Sequence, residues 1–190
     1  MDSQNLNQLI KSSYAGVNEA ESIGQKLGYK IDRDLSNRKH KVFIDENNKP
    51  IVAYTGTRTL GDWVTDGALA VGLGGLTQRF KESKRVADKT RQKYGQPLTI
   101  AGHSLGGTLA EHSGNKKDKI ITVDKGVGLF GIGKNIKKNQ TDIRSANDPV
   151  SILALTQKAK RISIPKTGHI IDPLASHDYR NLLRLKNRKL

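Results

Sequence analysis

The chain contains no cysteine. That excludes disulfides, thiolate metal sites and a cysteine nucleophile, and it fits a reducing compartment. Long apolar runs are also missing. The longest, residues 68–76, holds three glycines and falls well short of the ~20 residues that span a membrane. Residues Met1–Asn5 are polar and acidic, with no positive stretch ahead of an apolar one. No signal peptide is therefore expected, and a cytoplasmic or virion-associated location is. Internal repeats and low-complexity linkers are absent too. Acidic residues are scarce beside basic ones, 18 against 33, for a net charge of +15. The excess gathers at Lys116–Lys119, Lys134–Lys138, Lys158–Arg161 and Arg180–Lys189. Such a surface attracts polyanions, so an anionic membrane surface is a candidate partner, and nucleic acid is a weaker one because no nucleic-acid motif is visible.

What is present fits one domain over residues 1–190, long enough for a full core. Residues 1–39 read as a helical segment packed on it and 180–190 as a basic tail. Leu9, Val17, Ala20, Ile23 and Leu27 recur at helical spacing, which predicts a helix over 6–27 that Gly28 ends, with Gly16 and Gly24 weakening its interior. Val42–Ile44 and Ile51–Tyr54 read as strands joined by an Asn47-Asn48 turn. Further helices are expected at 62–71, 76–94, 104–113 and from about His177. Further strands are expected at 98–102, 120–123, 142–145 and 161–164. A hairpin followed by alternating strands and helices predicts an α/β fold with a mostly parallel sheet covered on both faces.

The sharpest signal is Gly102-His103-Ser104-Leu105-Gly106-Gly107. An apolar strand precedes it and a helix follows. A serine flanked by glycines at such a bend is a nucleophile elbow: the turn lifts the hydroxyl above the strand ends and sets it at a helix N-terminus. A hydroxyl needs a base, usually histidine. His103 adjoins the serine and diverges from it, His112 lies eight residues along the helix, and His40 breaks the chain order Ser, acid, His. His177 remains as the base, with His169 as the alternative. The orienting acid is Asp148 in the loop after the strand around Ile143, with Asp124 as the alternative. Asp118, Asp142, Asp172 and Asp178 read as surface charges. The amide of Leu105 and a second donor at Thr57, after the strand-ending Tyr54-Thr55-Gly56, would form an oxyanion hole.

These residues resemble the fungal-type, class 3 lipases. The resemblance runs from about residue 40 to 182. It rests on the hairpin with its Gly56-Thr57 turn and nearby Asp62-Trp63, on Gly102–Gly107, on Asn147-Asp148-Pro149-Val150 and on His177–Leu182. It departs at Thr55, where that family usually carries arginine. It implies an α/β-hydrolase fold and hydrolysis of carboxylic esters, often lipid esters, with Ser104 as nucleophile, Asp148 as acid, His177 as base, and no metal or cofactor. In that family a lid follows the Gly-Thr turn. Leu69, Val71, Leu73 and Leu76 occupy its place, as a small lid or acyl-binding wall. The reading of another class is a catalytically degenerate hydrolase fold that binds polyanions or membrane surfaces.

Overall fold

The computed structural model describes residues 1–57, 73–126, 137–146, 148, 160–164 and 178–185. Among these residues seven strands form one sheet in sequence order: β1 (Lys30–Ile31), β2 (His40–Ile44), β3 (Pro50–Tyr54), β4 (Thr99–His103), β5 (Lys119–Val123), β6 (Gln140–Ser145) and β7 (Lys160–Ile164). β1, β2 and β3 pair antiparallel, and every pairing from β3 to β7 is parallel. The expected α/β arrangement is therefore present. β1 is an addition that two residues could not announce by periodicity.

Consecutive parallel neighbours need crossovers, and right-handed crossovers stepping one way along a sheet put their helices on one face. α3 (Leu73–Tyr94) and α4 (Leu105–Ser113) accordingly share a face. There Val86, Ala87, Leu109 and Ala110 pack on Val42, Val52, Ile100 and Ile120. The opposite face is covered by α1 (Ser3–Tyr14), α2 (Val17–Lys26) and a C-terminal 3₁₀ helix (Tyr179–Leu185). Leu6, Ile10 and Leu182 pack there on Ala101, Ile121, Val123, Ile143 and Ile164. Successive strand side chains alternate between the two covered faces, which is why the central strands read as unbroken apolar runs.

Two expectations about local structure change. The segment 6–27 is two helices, broken at Ala15 with Gly16 as the N-cap of α2. The amide of Ala15 turns back to the carbonyl of Ser12 (3.1 Å). The last element is a 3₁₀ helix starting at Tyr179.

Asp118 and Asp142 are not surface charges: they are 1 % and 0 % exposed. Asp118 receives the guanidinium of Arg91 (2.5 Å) and the amides of Leu98 (2.9 Å) and Asn115 (2.7 Å), tying α3 to the start of β4 and β5. Asp142 accepts from Thr122 (2.7 Å), Gln140 (2.8 Å) and Arg144 (2.9 Å), and lies 3.3 Å from the buried ammonium of Lys125, which also pairs with Glu111. Charges inside a core persist only when paired in this way. Pairing of that kind is invisible to composition.

Candidate active site

All strands from β3 to β7 run parallel, so their C-terminal ends share one edge of the sheet. Thr55-Gly56-Thr57 leaves β3 there, Ser104 leaves β4, Asp124 leaves β5, and Asp148 follows β6. The crevice outside such strand ends is where open α/β sheets place their ligands.

Ser104 sits on the corner between β4 and α4 with φ 57° and ψ −127°. A positive φ is uncommon for a residue with a side chain and costs on the order of 1–3 kcal/mol. The surroundings leave it little choice. Its amide donates to the carbonyl of Val123 (3.0 Å), and its carbonyl accepts from Gly107 (2.9 Å) and Thr108 (3.3 Å). A Cβ on Gly102 would fall closer than 3.0 Å to the backbone of Gly106, and one on Gly106 would do the same to the carbonyl of Tyr54. Strand, helix and the end of β3 thus meet backbone to backbone. Leu105 opens α4, and the first amides of a helix have no acceptor inside it.

The turn after β3 is clamped from both faces. Thr55 Oγ1 donates to the carbonyl of Ser13 (2.5 Å), and Arg79 of α3 donates to the carbonyl of Thr55 (2.6 Å). The Gly56 amide donates to Tyr14 Oη (3.2 Å), and Tyr14 Oη also lies 3.1 Å from Nδ1 of His103. A Cβ on Gly56 would stand 3.4 Å from that of Ser104, so the turn rests against the corner. The Thr57 hydroxyl next to it is buried without a hydrogen-bond partner. Such an oxygen is a ready donor for a group that arrives later. The sequence reading did not find Tyr14. Its ring stacks on Tyr179 (5.8 Å between centroids, 16° between planes), and burial pushes its phenol above the ordinary value. The one available signal was its place at the end of an amphipathic helix, which any core tyrosine shares. His103 does diverge from the serine, toward Tyr14 and Tyr179.

Asp124 and Asp148 are both buried, at 0 % and 2 % exposure, and both hold Ser145. Asp124 accepts from the Ser145 amide (2.6 Å) and hydroxyl (2.8 Å), while the Asp148 amide donates to the Ser145 carbonyl (3.3 Å). Burial, and next the charge of Asp148, push the Asp124 carboxyl up to about 8. An unfolded aspartate titrates near ~4, so folding takes up a proton between those values. The stabilisation is complete below pH ~4 and is lost as pH rises through 8. Asp124→Asn is expected to flatten that dependence. Thermal melting of both proteins from pH 5 to 9 checks it, and parallel curves would show that Asp124 is not the group responsible.

Of the other expected site residues, His169, His177, Leu69 and Val71 lie outside the described residues. Leu73 and Leu76 belong to the first turn of α3, which starts three residues before the expected helix. The remaining histidines are occupied elsewhere. His40 is buried in β2, where desolvation pushes it down to about 4, and His112 packs edge-on against Phe80 (4.8 Å). Among the described residues, no cluster of histidines and carboxylates could hold a metal ion, and no helix is long and apolar enough to cross a membrane.

A family model described as phospholipase-like, the Tle-like phospholipase domain, matches residues 11–119, more than half of the chain. The chain belongs to this family. The match takes in α1's last turn, the clamped turn after β3 and the whole of the Ser104 corner. It supports a lipase or phospholipase grouping without singling out the fungal class 3 lipases. A relative named extracellular phospholipase A1, from Serratia liquefaciens, is 25 % identical over 178 residues, covering 86 % of this chain and 54 % of the relative. The chain thus spans about half the length of that relative. That name places the relative outside the cell and lends no support to the cytoplasmic expectation. No solved structure matches.

Proposed function

We propose that the protein hydrolyses carboxylic esters of lipids through an acyl-enzyme, with Ser104 as nucleophile. The observation that carries this reading is the strained backbone of Ser104 at the strand-to-helix corner, φ 57° and ψ −127°, the arrangement of a nucleophile elbow. Family membership and the name of the Serratia relative favour a phospholipid over a triglyceride.

In this mechanism a late histidine, His177 or else His169, takes the proton of Ser104 Oγ as that oxygen bonds to the ester carbonyl carbon. The carbonyl becomes an oxyanion held by the Leu105 amide and by the amide and hydroxyl of Thr57. Collapse expels the alcohol, which takes the proton from the imidazolium. Water then attacks the acyl-serine by the same route and releases the fatty acid. Asp148 is the preferred acid. Both Asp124 oxygens are engaged by Ser145, and a carboxyl that holds its proton up to about pH 8 has no charge to set against an imidazolium.

Tyr14 acts as a positioning residue in this scheme, because it fixes the Gly56 amide one residue before Thr57. Tyr14→Phe keeps the ring on Tyr179 and removes only the oxygen. Its kcat on p-nitrophenyl butyrate should fall by roughly tenfold with KM within twofold, a fraction of the roughly 10²–10³ lost with a whole oxyanion donor. A matching rise in KM, or an unchanged kcat, would contradict the role.

A fluorophosphonate probe tests the whole reading. An activated serine is phosphonylated, and mass spectrometry should place the adduct on Ser104. If no serine reacts, a basic binding module replaces the enzyme.

A further inference from the structure

Beside the Ser104 corner lies a cleft of about 560 Å³ between α1 and the 3₁₀ helix. Its lining runs from the buried His103 and the neighbouring Thr57 to Gln8 and the exposed Lys11, Arg180 and Leu183. Residues three apart on a helix share a face, so α1 turns Gln8, Lys11 and Tyr14 to the cleft together. The walls are tied to each other. The Asn7 side-chain amide donates to the Tyr179 carbonyl (2.9 Å), and the Tyr14 and Tyr179 rings stack.

Tyr14, Tyr179 and Leu183 give the walls of this cleft apolar surface, but its outer end is charged. A fatty chain gains about 0.8 kcal/mol for each CH₂ it buries against apolar walls. Here the outer end offers an ammonium, a guanidinium and a carboxamide instead. The one acid among the described lining residues, Asp178, is already answered. Burial works to raise its carboxyl, but the Arg180 side chain (Nε at 2.6 Å) and amide (2.8 Å) hold it below the usual range. Lys11 is exposed in the last turn of α1 and enters no ion pair among the described residues. Among the described residues the cleft therefore presents one unanswered positive charge at its mouth, that of Lys11, with the orphaned Thr57 hydroxyl at its inner end.

We infer that this cleft seats the phosphodiester of a glycerophospholipid whose carboxylic ester lies at Ser104, with Lys11 as the counter-charge and the Gln8 amide as a second donor. This rests on the hydrolase reading and adds to it the end of the substrate that the cleft receives. A charge-assisted hydrogen bond from Lys11 to a phosphate oxygen is about twice as strong as a neutral one. Its loss should weaken capture of the anionic substrate alone, because a neutral diacylglycerol has nothing to offer at that point.

The test uses two monomeric substrates with the same scissile ester, dihexanoylphosphatidylglycerol and dihexanoylglycerol, and reads the ratio of their kcat/KM values. Lys11→Ala should lower the ratio at least fivefold and Lys11→Glu at least twentyfold. Lys89→Glu, on the exposed side of α3, carries the same change of charge and should leave the ratio within twofold. Thermal melting checks that all three variants fold. An unchanged ratio in both Lys11 variants overturns the inference. So does an equal loss in Lys89→Glu, which would assign the preference to the general positive field. Inorganic phosphate separates the two sources of the anion. Competition against both substrates alike, relieved by Lys11→Ala, would make this a site for free phosphate and sink the lipid assignment. A wild type that reacts with fluorophosphonate yet does not cleave the phospholipid overturns the cleft alone. One that does not react overturns the hydrolase reading with it.

Discussion

Ser104→Ala is expected to cut turnover of p-nitrophenyl butyrate by at least about 10⁴-fold while leaving the circular dichroism and the melting temperature near wild type. The size follows from how acyl transfer works. Without the hydroxyl no acyl-enzyme forms, and what remains is the electrostatic help of the donors around the corner, roughly 10³–10⁴ over water in serine hydrolases. The fold should survive because the serine's described bonds to its neighbours run through its backbone: its amide to Val123 and its carbonyl to Gly107 and Thr108. Alanine keeps all of them. A variant with more than a tenth of wild-type activity would remove Ser104 from the mechanism. The same assay on His177→Ala and His169→Ala assigns the base, since only one of them should approach the loss seen for Ser104→Ala.

Gly102→Ala is expected to have the largest effect on stability. Its methyl would fall closer than 3.0 Å to the backbone of Gly106. The obstructing atoms are main chain, so no side chain can rotate away. Either α4 lifts off β4 or the corner deforms. Overpacking a core typically costs 1–3 kcal/mol, and a clash with backbone belongs at or beyond the upper end. At about 2–4 °C per kcal/mol for a chain of this length, the melting temperature should drop by roughly 6–12 °C. Activity should fall with it, because α4 carries the Leu105 amide. Gly114→Ala makes a useful contrast. Its Cβ would crowd the Ile120 side chain and come only to 3.2 Å from the Ala110 carbonyl, so the nearest obstacle is side chain rather than main chain. If Gly102→Ala melts no lower than Gly114→Ala, the backbone contact at the corner is not what holds the two elements together.

Much of this arrangement was legible from local chemistry. Gly102–Gly107 announced a sharp strand-to-helix bend because glycines are required wherever backbones touch. The apolar runs at 42–44, 51–54 and 120–123 announced strands buried on both faces. Asp148 stood out through its place after a strand and before a proline. Other features carried no local mark. Asp118 and Asp142 looked like solvated charges because Arg91 and Lys125, which help to bury them, stand far away along the chain at separations no periodicity encodes. Tyr14 was missed for the same reason: it meets Gly56 and His103 from residues 42 and 89 positions away.

By itself the sequence determined the order of β2 to β7 with α3 and α4 between them, the bend at Ser104 and the excess of positive charge, since each depends on side chains that are neighbours along the chain. Tertiary structure alone decided that the ends of β3, β4, β5 and β6 share one edge, that Ser145 holds the buried carboxyl of Asp124, and that α1 walls a cleft with Lys11 at its mouth. Those are consequences of parallel pairing and of helices laid across a sheet. Packing of that kind brings together groups whose separation along the chain leaves no trace in the local pattern.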